Sequence, residues 1–89
     1  MIPEKIPTLV LRRYKQIHVA AGAEAAKEGY PWWAAFGYAA AARGSTDAIE
    51  VFAAAQDWLH GWSQATNKME GADPVPSIVD EILETGIHD

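Results

Sequence analysis

Eighty-nine residues with seven basic and twelve acidic side chains, a net charge of −5 and no cysteine describe one small acidic domain. A chain of this length buries only about 60% of its unfolded surface, so its stability margin is thin and oligomerisation would help. The lack of cysteine removes disulfides, thiolate nucleophiles and cysteine-based zinc sites together, and favours an intracellular, cytoplasmic setting.

Residues 1–7 carry two prolines and a carboxylate where a secretion signal needs a basic end and an unbroken apolar core. They read as an extended arm. Charge is uneven along the chain. Residues 1–28 hold five basic against three acidic side chains, whereas residues 45–89 hold Lys68 alone against nine acidic ones. This asymmetry favours head-to-tail or heterologous protein contacts and disfavours polyanion binding by the C-terminal half.

Four glycines punctuate the sequence. Gly29, Gly44, Gly71 and Gly86 each stand where a helical pattern stops, the place where glycine takes the left-handed conformation cheaply. They predict helices over 8–28, 31–43, 46–70 and 77–85, with residues 71–76 as a linker. The first helix gathers Val10, Leu11, Tyr14, Ile17, His18, Ala21 and Ala25 on one side, opposite Arg12, Lys15 and Gln16. Pro31 suits the first position of the second helix. The third places Val51, Phe52, Ala55, Trp58, Leu59, Trp62, Thr66 and Met69 opposite Glu50, Asp57, Gln64 and Lys68. At about 37 Å it is long for so small a domain, and its far end is expected to project. Ser77, with Asp80 three residues on, suits the N-cap of the last helix.

No segment alternates with period two over a strand length, and alanine dominates, so the class is all-α. The architecture expected is a single-domain bundle of three main helices plus a short C-terminal one, self-associating. The longest apolar run is about 13 residues, short of the roughly 20 needed to span a bilayer.

Residues 30–42 hold no polar side chain except two tyrosine hydroxyls. A helix apolar on every side must be enclosed by its own domain or by another protein. The second helix is therefore either the centre of the bundle or an interface. The interface reading uses Trp32, Trp33, Phe36 and Tyr38, with Trp58 and Trp62 nearby, because aromatic residues are enriched and charges depleted at protein contacts. Gly22, Gly37 and Gly61 lie inside predicted helices, where each costs up to about 1 kcal/mol against alanine. Close helix crossings would offset that penalty.

Catalytic patterns are weak. Asp57 and His60 share a helical face, but a di-iron site needs a second such pair and further inward carboxylates. Gly61-Trp62-Ser63 lies in mid-helix, not at the strand-to-helix turn of a hydrolase. Two carboxylates, Asp47 and Glu50, stand where a helix-turn-helix would meet phosphates. No enzymatic activity, cofactor, metal site, direct nucleic-acid binding or membrane contact is expected. His18, on the apolar side of the first helix, is expected to be a core or interface residue bonded to a hydroxyl or carbonyl.

The function expected is a helical interaction module, such as an adaptor, assembly factor or inhibitor, whose partners are a second copy of itself and another protein. Two alternatives are a carrier of an apolar molecule in a pocket lined by Trp, Phe and Tyr, and a phage-type accessory protein in which Asp80, Glu81 and Glu84 block a basic nucleic-acid-binding partner.

Overall fold

The computed structural model describes residues 8–44 and 47–85, with side chains from Lys15 onward. Its helices are α1 (Thr8–Lys27), α2 (Ala34–Arg43), α3 (Ala48–Lys68) and α4 (Ser77–Glu84), with no strand among the described residues. The protein is a small all-α bundle.

The central element is α3, not α2, and α1, α2 and α4 all pack against it. Its sequence explains this. Ala54, Ala55, Gln56, Trp58, Leu59, Gly61, Trp62 and Ser63 are all buried, so α3 offers a contact surface on several sides. In α2 only Ala35 and Ala39 are fully enclosed. α1 runs alongside α3 in the same direction, with Gly22 against Trp58 and Trp62 and Gly61 against Val19 and Ala23. α2 runs back antiparallel, its Arg43 reaching Glu50 at 3.8 Å near the start of α3. α4 also returns antiparallel and buries Val79 completely.

Gly22 and Gly61 form a reciprocal crossing. A Cβ atom on Gly22 would overlap the Trp58 carbonyl oxygen, and one on Gly61 would overlap the Val19 carbonyl oxygen. The two backbones touch, and only glycine admits this. Gly37 differs from the expectation drawn for it: among the described residues a Cβ there would meet nothing within 4 Å, so none of the described helices crosses at that point.

Each corner has a local cause. After α1, Gly29 takes φ 89°. Its N–H donates to Ala26 O at 3.1 Å and the Tyr30 N–H to Ala25 O at 3.0 Å, the paired bonds of a Schellman cap. Residues 31–33 then form a turn of i to i+3 bonds, so α2 begins three residues later than Pro31 suggested. α2 ends at Gly44, φ 59°. Asp47 stands before α3 as its N-cap, with Oδ1 accepting from the N–H groups of Ile49 and Glu50 at 3.0 and 3.1 Å. α3 spans 21 residues, shorter than the expected range. Its far end does not stand alone, because residues 71–76 fold back beside Trp62 and Thr66.

Ser77 does not cap α4. Pro76, with φ −61° and ψ 146°, occupies the cap position without a side-chain bond, and its fixed φ brings Ser77 straight into the first helical turn. Ile17, assigned to the core stripe of α1, is 49% exposed, because α3 meets α1 along His18, Gly22 and Ala26. Residues 1–7, Gly86 and the side chains of Val10, Leu11, Arg12 and Tyr14 lie outside the described residues.

Candidate functional site

The aromatic residues divide between core and surface. Trp58 and Trp62, at 2% and 7% exposure, are enclosed by their own bundle. Trp32, Phe36 and Tyr38 are half-buried. Trp32 meets Phe36 edge-on at 6.4 Å between ring centroids, and Phe36 meets Phe52 at the same separation, giving an aromatic ladder at the α2–α3 seam. Trp33 is 63% exposed and Tyr30 53%.

The outward side of α2 carries Trp33, Gly37, Ala40 and Ala41, all exposed. It offers a smooth apolar strip with one large ring at its beginning. Arg43, at the opposite end, is the first charged residue of the helix.

Behind α2, His18 is buried beside Tyr38, with Nδ1 and the hydroxyl oxygen 3.1 Å apart. The rings meet edge-on at 5.5 Å, and Tyr38 also lies against Trp58 at 6.4 Å. This is the hydroxyl-bonded core histidine that the apolar setting of His18 suggested. Burial holds its pKa below the ordinary value of 6.5, the nearby Asp57 carboxylate opposes that shift and the Arg43 guanidinium adds to it. Burial also raises the Tyr38 phenol.

The lowered pKa means that acid favours the unfolded chain, in which His18 takes up its proton near 6.5 while the folded chain still resists. The associated stability is whole above that value and is lost as pH falls through the lower folded pKa. The melting temperature should therefore drop as the pH falls below the ordinary histidine value of 6.5. In His18→Phe that part of the drop should vanish, and an unchanged pH profile would refute the assignment.

Two buried polar groups were not foreseen. Gln56, 3% exposed, donates from Nε2 to the carbonyls of Ile82 at 2.8 Å and Thr85 at 3.0 Å, which ties the end of α4 to α3. Its Oε1 has no hydrogen-bond partner among the described residues. Trp62 donates from Nε1 to Tyr30 O at 2.7 Å and fixes the corner between α1 and α2.

Asp80, Glu81 and Glu84 are exposed on the outer face of α4, whose inner face carries Val79, Ile82 and Leu83. They lie along one short helix, apart from the strip on α2. His60 is exposed, while Asp57 lies beside His18. Among the described residues no group of three or more His, Cys, Asp or Glu is placed to hold a metal ion, and no helix is long and apolar enough to cross a membrane.

Clefts at the surface are open to solvent. One of about 440 Å³ lies between α1 and α2 and is lined by Tyr30, Tyr38 and Trp58 with Glu24 and Glu28. Another, of about 670 Å³, lies between α1 and α3.

The class defined by this geometry is a small helical bundle with an apolar helix on its surface. Comparison with protein-family models, curated proteins and solved structures found no match.

Proposed function

We propose that this protein is a helical interaction module that pairs with a second copy of itself through the outer strip of α2 and presents the resulting dimer to another protein. The observation that supports the reading is the exposed, charge-free strip of Trp33, Gly37, Ala40 and Ala41 on a helix that gives its own core only two fully enclosed alanines. Small residues let two helix axes approach closely. Two copies of such a strip related by a two-fold axis are self-complementary. With α2 antiparallel to its counterpart, each Trp33 ring covers the small-residue end of the other helix. Gly37, whose helical penalty no contact among the described residues offsets, would then sit at the crossing.

The molar mass by light scattering should be that of a dimer at micromolar concentration. Trp33→Glu should give a folded monomer, because the ring is largely exposed and contributes little to the core. Gly37→Leu should do the same and stay folded, since within the protomer the added side chain enters open space, and its melting temperature should fall only by what dimerisation contributes. A native chain that is monomeric throughout this range would sink the proposal.

A further inference from the structure

We propose that the groove between α1 and α3, on the side of that pair away from α2, is a docking site for an acidic amphipathic helix of a partner protein. This rests on reading the protein as an interaction module, but it uses a different surface and names the chemistry of the partner.

Charge placement carries the argument. The chain has four lysines in all and a net charge of −5. Lys15, Lys27 and Lys68 line this one groove, and among the described residues no carboxylate does; Lys15 also borders the cleft that holds Glu50 and Asp57. The Lys27 ammonium has the Glu24 carboxylate at 3.4 Å, but both side chains are more than half exposed, so the pair is weak and exchangeable. An acidic protein has gathered three cations around an apolar floor.

The floor fits a helix. It is built from Val19, Ala20 and Ala23 on α1 and Gly61 and Ala65 on α3, small residues that admit close approach of another backbone. The glycine crossing holds α1 and α3 together beneath it, so the groove is an open valley between two parallel rods. A third helix fills such a valley ridge into groove.

Spacing selects the occupant. Lys15 and Lys27 are separated by about 18 Å of helical rise along α1, with Lys68 on the facing helix. A fatty acid has one carboxylate, reaches one end of this array and leaves its tail exposed in the open valley. An amphipathic helix of about three turns lays aliphatic residues on the floor and sets carboxylates at both ends and along the opposite rim. The acidic α4 of the same chain is not free to serve, because Val79 and the Gln56 bonds hold it on α3.

The probe is a synthetic helix-stabilised peptide of about four turns, with Leu and Ala on one face and glutamates flanking it about 18 Å apart. Fluorescence anisotropy with the full chain should give a micromolar dissociation constant that weakens as salt rises. Amide shifts should change at Val19, Ala20, Ala23 and Ala65. Combined Lys15→Glu, Lys27→Glu and Lys68→Glu should weaken binding at least about tenfold without unfolding, and a peptide with lysine for glutamate should bind that variant instead. Trp33→Glu should bind the acidic peptide as the native chain does, even if it alters the molar mass.

Equal affinity for a glutamine-substituted peptide, or shift changes elsewhere, would overturn the proposal. Palmitate that displaces the peptide and binds more tightly would make an anionic amphiphile the occupant and overturn it as well. A native dimer that dissociates on reversal of the three lysines would assign the groove to a second copy, with the same result.

Discussion

Gly22→Ala and Gly61→Ala should each remove about 3 kcal/mol or more of stability, although each adds only a methyl group. The reason is what the methyl meets. At Gly22 it overlaps the Trp58 carbonyl oxygen and at Gly61 the Val19 carbonyl oxygen, backbone atoms in mid-helix that cannot rotate aside as a side chain would. Overpacking usually costs about 1–3 kcal/mol because neighbouring side chains adjust, and here α1 must move off α3 instead. Helix propensity alone would give the opposite sign, a gain of up to about 1 kcal/mol for each glycine replaced by alanine. Gly37→Ala supplies the internal control at concentrations where the chain is monomeric, since within the protomer its methyl meets no described atom within 4 Å and only the propensity gain remains. Against a total of about 5–15 kcal/mol for a small domain, the two crossing variants should melt more than about 10 °C lower or lose cooperative unfolding, while Gly37→Ala should melt slightly higher. Chemical denaturation of the three variants side by side checks this. Equal behaviour at all three positions would mean that the crossing is not as close as described.

The helix ends and the crossing were legible in the sequence because each rests on one residue with a narrow conformational or steric role. Gly29 and Gly44 take positive φ where their helices end, and Gly22 and Gly61 mark the crossing. Gly37 carries the same local signal without a crossing among the described residues, so sequence alone could not separate a glycine facing a neighbour from one facing outward. The identity of the central helix was obscured for a similar reason. The uninterrupted apolar run of α2 drew attention, yet α3 became central because its buried residues, including Gln56 and Ser63, extend beyond a single apolar stripe. Gln56, Leu59 and Ser63 recur at a spacing that puts them on one helical face, all buried, so the polarity of Gln56 hides its place in the core. A polar residue on a buried face must find a partner. That partner is the backbone at the end of α4, distant in sequence and invisible to periodicity. The aromatic residues show the limit most plainly, because burial separates Trp58 and Trp62 from Trp33, whereas composition treats them alike.

Trp62→Ala should be among the most damaging of the side-chain truncations, with a loss of about 3–5 kcal/mol. The indole is 7% exposed and sits where three parts of the chain meet: Ala26 at the end of α1, the corner at Tyr30 and Pro31, and the returning segment of residues 71–76. Removing it leaves a void that the crossed helices cannot close, because the glycine contact already sets their separation. Trp62→Phe separates packing from hydrogen bonding. Most of the ring volume remains, but the Tyr30 carbonyl loses the donor 2.7 Å away. Tyr30 is half exposed, so water can reach that corner and the loss should be only about 0.5–1.5 kcal/mol. Urea denaturation gives both values, and amide exchange at Tyr30 and Trp32 should quicken in Trp62→Phe while the interior of α3 keeps its protection. A phenylalanine variant as unstable as the alanine variant would shift the weight from the ring to its N–H group. Two near-neutral substitutions would mean that the corner does not rest on Trp62, and that the outer strip of α2, which follows directly from that corner, is held in place by other contacts.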